Sequence, residues 1–403
     1  MKLSSYRLIL LLHYFSQGIL VPVLSMMLLA GGISFPDLAL AIGVYSLTAA
    51  VLEVPTGVLA DLIGKKKIYL CSLAVMFFAM TVFLFGYGTA AMMSAVSLFG
   101  AARALASGSF EALFLDRYSA SFENLAKGIR MLTLSESAGL AFGSLVGGVL
   151  PLLSVRFGLG TYDLSLTLRI GFLILIGLLI LFLIPIDHPE ICVRKHRLRT
   201  QLRSCTSVLR DSRLVRLLFV VVVATGFALN YVEAYWQPHF AFLLGGVSDA
   251  SLWLGVLSVA FLGAAMAGNL LSERLLRKKG DTRRVYLFGR IGMVLSLGIS
   301  AVSVSPYLFF CSFCLIYFFF GIANVSEGTI INERLRAENR ASMLSMQSLV
   351  LQLGIVAASV CSKLLPDSLG TGGLWLIASA MLLIALLPFA NKKTTSEEVV
   401  RQS

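Results

Sequence analysis

The amino-acid sequence predicts an all-α integral membrane protein with about twelve transmembrane helices in two pseudo-symmetric six-helix halves. Its composition supports this fold class, because 58% of its 403 residues are hydrophobic and only 13% are charged. Apolar runs of roughly 18 to 26 residues recur along the chain, and each is long enough for a helix to cross a bilayer. These runs lie at approximately 6–30, 37–60, 67–88, 91–115, 129–152, 167–186, 214–240, 251–276, 285–304, 307–332, 342–365 and 371–390.

A polar, basic turn between two apolar runs occurs twice and predicts the two halves. The first copy covers residues 53–67 and contains Pro55, Asp61 and Gly64, followed by three lysines. Proline and glycine end or loosen helices, and lysines hold a loop on one side of the bilayer. A similar turn covers residues 268–280, about 210 residues later, as expected for a transporter with an internal repeat.

The net charge of +12 follows the topology of the chain. Lys and Arg concentrate in alternate loops, and Arg156, Arg169 and Lys363 are the exceptions in the loops between them. Because positive charge marks cytoplasmic loops, we expect both termini in the cytoplasm and no nucleic-acid partner. We also expect a bacterial cell (inner) membrane location. The predicted parts are an N-terminal half at 1–186, a basic cytoplasmic linker at 187–213, and a C-terminal half with a short tail at 214–403.

No motif of an enzyme, a metal site or a cofactor site occurs in the sequence. Cys311-x-x-Cys314 has the spacing of a redox or metal motif, but it lies in an apolar run where packing accounts for it. The chain has four scattered histidines, no HExxH and no nucleotide-binding loop. We therefore expect no enzyme, no cofactor, no metal and no disulfide, and a sensor is not expected because a soluble signalling domain is missing.

The first apolar run carries two polar side chains on one face. His13 and Gln17 are spaced i and i+4, with Tyr14 adjacent. Polar groups inside a membrane face protein or a water-filled cavity. We predict a substrate-binding role for His13 and Gln17, and hydrogen bonding between helices is the alternative.

The first polar turn gives a specific resemblance. Gly57-x-Leu-Ala-Asp61-x-x-Gly64-Lys65-Lys66 resembles the signature loop between helices 2 and 3 of the major facilitator superfamily, with Lys65 where many members have Arg. With the helix count and the basic central loop, the resemblance covers essentially the whole chain. In that family the aspartate and basic residues latch the cytoplasmic helix ends in the outward-facing state. The resemblance implies gating by Asp61, Gly64, Lys65 and Lys66, and topology alone is the alternative for the lysines.

Charged residues inside the second and fourth runs are functional candidates, because a buried charge is costly. Arg103 and Glu111 lie two turns apart, and Glu53 lies in the second run, where helix packing is the alternative. The pair resembles the helix-4 arginine motif of proton-coupled members, which implies proton handling by Arg103 with Glu111 and Glu53. Asp116 and Arg117 resemble gate residues at the cytoplasmic rim.

The fifth run contains Glu136 followed by closely spaced glycines at residues 139–148. Glycines four residues apart flatten a helix face and let another backbone approach. The stretch resembles the antiporter motif of helix 5 in drug-efflux members, with Ser144 in place of the proline. The resemblance implies export, and Glu136 is a proton-coupling candidate.

Polar residues of the seventh run are predicted to line a substrate vestibule. Asn230 and Glu233 lie deeper than Trp236, Gln237 and His239, for which an interfacial belt is the alternative. We predict substrate binding by Asn230 and Glu233.

The tenth run repeats the polar pattern of the fourth. Asn324 is a further substrate-binding candidate, and Glu327 aligns with Glu111 at a corresponding depth. The two glutamates could alternately take protons, and capping of helix ends is the alternative.

The intramembrane charges favour a neutral or cationic substrate, or protons. We expect a proton-coupled exporter (antiporter) of amphipathic neutral or cationic compounds that works by alternating access as a monomer, with a small-molecule substrate, protons and the lipid bilayer as partners. The alternative is an importer or facilitator of a small metabolite such as a sugar, peptide or siderophore. Against one central cation, Arg103, the sequence sets Glu53, Glu111, Glu136, Glu233 and Glu327.

Overall fold

The computed structural model describes residues 3–107, 109–115, 122–184, 212–278, 281–333, 340–365 and 369–390. The regular structure within these ranges is helical, with no strand among them. This confirms the predicted all-α fold class. The helices of the N-terminal part are α1 (Leu3–Gly18), α2 (Leu24–Ala30), α3 (Asp37–Ile63), α4 (Lys65–Phe85), α5 (Thr89–Ser107), α6 (Phe110–Leu115), α7 (Phe122–Arg156) and α8 (Asp163–Leu183).

The remaining helices follow the same order as the predicted apolar runs. Nine helical stretches of the described chain are long and apolar enough to cross a membrane. The two parts of α3, Asp37–Glu53 and Pro55–Ile63, make a tenth when they are taken together as one span. They are bent by 46°, as expected where proline removes a backbone hydrogen bond. These later helices are α9 (Arg213–Leu243), α10 (Val247–Arg277), α11 (Thr282–Val302), α12 (Pro306–Glu333), α13 (Arg340–Ser362) and α14 (Gly370–Ala390).

The chain divides into two compact units. The first consists of Met1–Cys192 and Gln237–Val259, and the second of Val193–Trp236 and Ala260–Ser403. Helices α9 and α10 therefore each contribute residues to both units. Most of the predicted linker at 187–213 lies outside the described residues, so the predicted division into halves stays a prediction.

Glycines pack α7 closely against α1 in the first unit. A Cβ atom at Gly139 would lie 2.7 Å from Cβ of Tyr14, and a Cβ atom at Gly18 would lie 2.6 Å from the carbonyl oxygen of Leu140. One turn after Gly143, a Cβ atom at Gly147 would overlap the Ile19 carbonyl. Side chains at these positions would push the two helices apart, so the glycines set their separation.

Two further contacts extend this packing. The hydroxyl of Ser144, which stands where the related motif has proline, donates a hydrogen bond of 3.3 Å to the Gly18 carbonyl. On the α10 side, a Cβ atom at Gly148 would lie 2.8 Å from Cα of Gly255. Helix α7 thus approaches α1 and α10 at backbone distance in the first unit.

Gln237 closes the break between α1 and α2. Its side-chain oxygen accepts hydrogen bonds from the backbone nitrogens of Ser25 and Met26, at 2.8 and 3.3 Å. Its amide nitrogen donates to the carbonyl of Val21 at 2.8 Å. Gln237 is only 2% exposed. Its bonds provide partners for buried backbone groups that have no helical hydrogen bond at the break. An interfacial belt does not account for this buried residue, nor for Trp236, which is 3% exposed.

We predict that Gly147→Ala lowers the thermal unfolding temperature of the purified protein in detergent, because overpacking of this kind typically costs about 1–3 kcal/mol. Gly171→Ala is the matched control, since a Cβ atom there would meet nothing within 4 Å and alanine favours a helix over glycine. Equal stability of the two variants would contradict the role of glycine in the α1–α7 packing.

Candidate functional site

A cavity of about 400 Å³ lies among the helices of the first unit. Residues from each of the helices α1 to α8 line it, so the site is built from side chains far apart in sequence. Such a volume suits a small organic molecule. The charged and hydrogen-bonding lining residues are His13, Tyr14, Ser16, Gln17, Tyr45, Ser72, Arg103, Ser107, Glu111, Glu136 and Arg169.

His13 is held in place by two hydrogen bonds. Its Nε2 lies 2.7 Å from the amide nitrogen of Gln17, and its Nδ1 lies 2.7 Å from the hydroxyl of Tyr69. With the Gln17 amide as donor, a neutral imidazole protonated on Nδ1 satisfies both bonds. The ring centroid of His13 also lies 4.3 Å from that of Phe110. His13 and Gln17 therefore line the cavity, and His13 also bonds to Tyr69 of another helix; their substrate-binding role stays a prediction.

The two carboxylates of the cavity share it with Arg103. Glu111 accepts a hydrogen bond of 3.3 Å from the hydroxyl of Tyr14. The Arg103 guanidinium donates to the Tyr45 hydroxyl at 2.8 Å and lies 5.6 Å from the centroid of that ring. Electrostatic interactions connect Glu136 with both Glu111 and Arg103. The structure thus brings together three of the five residues predicted to handle protons.

Arg169 is a buried cation that also lines the cavity. It lies in α8, not in a loop as the charge pattern suggested, and is 1% exposed. Its guanidinium carbon lies 5.1 Å from the centroid of Phe99, and Nη2 lies 3.6 Å from the sulfur of Met76. The cavity therefore carries two arginines and two glutamates.

The second unit contains a buried ion pair that the sequence analysis missed. Nη2 of Arg290 lies 2.5 Å from Oε2 of Glu327, and the two side chains are 2% and 3% exposed. The amide of Gln347 donates to the other carboxylate oxygen of Glu327. Arg290 also lies 5.3 Å from the ring centroid of Tyr286.

The expectation of one central cation was wrong, because Arg169 and Arg290 are also buried in long helices. The printed sequence contained the signal for Arg290, which falls six residues into the run predicted at 285–304. The excess of intramembrane carboxylates over cations was inferred without counting these two arginines. A preference for cationic substrates therefore loses its main support.

The other predicted substrate and proton residues lie elsewhere. Glu53 is exposed on α3 and is not part of the cavity lining. In the second unit Asn230 is fully buried on α9, whereas Glu233 on α9 and Asn324 on α12 are exposed. Their roles in transport stay predictions.

The predicted gate residues are partly described. Gly64 has a φ of 106° and connects α3 to α4, a backbone conformation that favours glycine. Asp61 and Lys65 are half-buried beside it. Asp116 and Arg117 lie outside the described residues.

Lys66 caps a neighbouring helix. Its ammonium group donates to the carbonyls of Leu181 and Ile184 at 3.2 and 2.5 Å, and the residue is 7% exposed. These carbonyls end α8, where the helix has no partners of its own for them. Lys66 thereby fixes the start of α4 to the end of α8.

Long apolar helices around a charged, ligand-sized cavity define a membrane transporter. The sequence profile of the Major Facilitator Superfamily matches residues 8–282 and, in a second match, 246–402. These matches cover nearly the whole chain, so the chain belongs to this superfamily, as the resemblance of the first polar turn implied. The protein is a multi-pass membrane protein and a secondary transporter of a family that moves small molecules by alternating access.

Solved structures of transporters share the fold. The nucleoside transporter NupG is 14% identical, with a TM-score of 0.76, and the match covers 96% of this chain and 98% of that one. A bacterial homolog of the human lysosomal transporter Spinster, inward-facing and unoccupied, is 14% identical, with a TM-score of 0.73 and coverage of 98% and 97%. A POT family transporter in complex with 5-aminolevulinic acid is 11% identical, with a TM-score of 0.75 and coverage of 97% and 96%.

These identities show a common fold and do not assign a substrate to this chain. No curated protein matches the sequence.

We predict that Glu327→Gln lowers the thermal unfolding temperature, because breaking a buried ion pair typically costs about 3–5 kcal/mol. The double variant Arg290→Met with Glu327→Met removes both charges, so it is expected to recover most of that loss. Unfolding of each purified variant in detergent measures the effect, with Glu333→Gln, at the exposed end of the same helix, as control. A double variant less stable than Glu327→Gln would contradict the ion pair's structural role.

Proposed function

We propose that this protein is a proton-coupled exporter of amphipathic organic compounds, working by alternating access as a monomer in a bacterial inner membrane with both termini in the cytoplasm. The observation that carries the proposal is the cavity in which Glu111, Glu136 and Arg103 lie beside aromatic side chains. The cavity combines carboxylates that can bind protons with aromatic side chains that can contact the apolar part of a substrate.

Glu111 and Glu136 are the proposed proton carriers. A proton taken up by either carboxylate removes one of two like charges from the cavity. Arg103, whose guanidinium is oriented by Tyr45, interacts with both carboxylates. Proton uptake would weaken the hold of the carboxylates on a substrate and favour its release. This gives coupling between proton and substrate through competition for the same two groups.

The proposed substrate is neutral or zwitterionic. Arg103 and Arg169 balance the charges of Glu111 and Glu136, so the cavity as a whole does not select for cations. Phe99, Phe110 and other apolar lining residues give surface for an apolar part of the substrate. Cationic amphiphiles are therefore a weaker candidate class than the sequence suggested.

The proposal of export is supported by the glycine packing of α7. The sequence of this helix resembles the antiporter motif, and its glycines approach α1 and Gly255 of α10 at backbone distance. Ser144 replaces the motif's proline and adds a hydrogen bond to α1.

An importer or facilitator of a small polar metabolite is the second candidate. The observation that favours it is the polar lining itself, in which Gln17 and two arginines provide hydrogen-bonding groups and the His13 ring lies among them. Similar folds in solved structures belong to a nucleoside transporter and to a POT family transporter with 5-aminolevulinic acid.

The remaining predicted roles are proposed as follows. Glu327 would take part in proton coupling only after its ion pair with Arg290 breaks. It would therefore act as a switch in the second unit and not as a carrier that exchanges protons rapidly. Glu53 would act from outside the cavity. Asp61, Gly64 and Lys65 would form the gate that the family resemblance implies, and Asn230, Glu233 and Asn324 would bind substrate.

We predict that Glu111→Gln combined with Glu136→Gln abolishes proton-driven export while the protein still inserts and folds. In inside-out vesicles with an acidic interior, addition of a substrate should collapse the pH gradient, and the double variant should slow this by at least ~100-fold, the lower end of the effect of a lost proton-transfer group. Neutral, zwitterionic and cationic amphiphiles and anionic metabolites form the test panel.

Glu273→Gln is the matched control, because Glu273 is an exposed carboxylate on α10 outside the cavity lining. Unchanged gradient collapse in the double variant would refute proton coupling through these two residues. A signal only with metabolites, in vesicles of the opposite orientation, would favour the importer.

A further inference from the structure

Arg169 is a buried arginine whose donors are not all used by the protein. The residue is 1% exposed and lines the cavity. Among the described residues, its Nε and Nη1 atoms have no hydrogen-bond partner. The contact of Nη2 is with the sulfur of Met76 at 3.6 Å, and a thioether is a weak acceptor.

The surroundings orient this guanidinium without neutralising it. The ring of Phe99 lies 5.1 Å from the guanidinium carbon, and Met76 contacts another edge. Cation–π and sulfur contacts hold a guanidinium plane in place but leave N–H groups available. One turn earlier on α8, the buried Ser165 hydroxyl also has no partner among the described residues.

The second unit shows what a structural buried arginine looks like in this chain. Arg290 is equally buried at 1% exposure, and its Nη2 lies 2.5 Å from the carboxylate of Glu327. A buried charge without an opposite charge is costly. No salt bridge joins Arg169 to a carboxylate among the described residues, and Glu111 in the same cavity accepts from Tyr14 instead. Arg169 therefore has the burial of Arg290 without its partner.

We propose that Arg169 binds an oxyanion of the transported compound, a carboxylate or a phosphate group. Guanidinium donors fit both groups, and the Nε and Nη1 donors of Arg169 have no partner among the described residues. Glu111 and Glu136 would receive the other, positively charged or donating, part of the substrate. Phe99 and Phe110 would contact its apolar body. The substrate is then a small zwitterion, and this identification rests on the function proposed above.

The experiment compares binding of paired compounds to the purified full-length protein in detergent. Each acid on an aromatic, aliphatic or dipeptide scaffold is paired with its amide, and each phosphate monoester with its parent alcohol. Ligand-induced shifts in thermal unfolding temperature across a concentration series give the apparent affinity. The proteins are the wild type, Arg169→Met, Arg169→Lys and the control Arg156→Gln, which alters an exposed arginine at the end of α7.

We expect the wild type to bind at least one acid or phosphate ester about 10- to 100-fold more tightly than its neutral partner, the range for hydrogen bonds to a charged group. Arg169→Met should lose that preference, Arg169→Lys should keep part of it, and Arg156→Gln should keep all of it. Without ligand, Arg169→Met should unfold at a higher temperature than the wild type, because it removes an unpartnered buried charge. A carboxylate preference and a phosphate preference identify different substrates with the same recognition chemistry.

Three results would overturn the proposal. One is equal binding of every acid and its neutral partner, or no binding of any acid, by the wild type. Another is an undiminished acid preference in Arg169→Met. The third is strong destabilisation of Arg169→Met without ligand, together with unchanged discrimination, which is the behaviour of a structural arginine.

This measurement needs no proton gradient and no transport direction. An acid preference that depends on Arg169, together with no gradient collapse by any compound in wild-type vesicles, would remove proton-coupled export and leave the oxyanion site. Absence of any acid preference in the wild type, together with gradient collapse that depends on Glu111 and Glu136, would remove the oxyanion site and leave proton-coupled export.

Discussion

The requirement that polar groups inside an apolar helical protein find partners fixes several helix ends and side chains of this structure. Where α1 breaks before α2, Gln237 supplies the missing donor and acceptors. Where α8 ends, Lys66 bonds its last carbonyls. Arg290 is matched by Glu327, and His13 by Gln17 and Tyr69. Arg169 differs from these groups because it is a buried cation that lines a cavity and has no carboxylate partner among the described residues.

The same requirement separates the two units chemically. In the second, positive and negative charge are joined in a closed pair with a third bond from Gln347. In the first, arginines and carboxylates line one cavity but are oriented by tyrosines, phenylalanine and methionine. Charge that is oriented by neutral neighbours keeps its capacity to bind a charged or dipolar compound. This difference is why the cavity of the first unit, and not the buried pair, is the candidate site.

The fold could be predicted from the sequence to a large extent, because apolar runs of membrane length are a local property. The run predicted at 371–390 corresponds to helix Gly370–Ala390, and the spacing of His13 and Gln17 correctly placed both on one face. The charge partners could not be predicted. Whether Glu327 faces Arg290 depends on which helix sides meet, and the sequence gives no measure of that.

The site was predicted incorrectly where charged residues were assigned to loops or to the cavity from their position along the chain alone. Arg169 was counted with loop charges because it lies near the start of an apolar run, yet it is buried in α8. Glu53 was expected to handle protons with Arg103, but it is exposed on α3 and does not line the cavity. Only packing reveals the sign and balance of charge that a solute would meet.

The break between α1 and α2 divides one membrane span into two pieces with different attachments. The α1 piece lies against the glycines of α7, where backbones touch and no side chain can rotate out of the way. The α2 piece begins at residues bonded by Gln237 of α9. The five residues between them carry both attachments, because the Ile19 carbonyl lies against Gly147 of α7 and the Val21 carbonyl accepts a hydrogen bond from Gln237. Any movement of the end of α9 relative to α7 would therefore have to be taken up within these few residues.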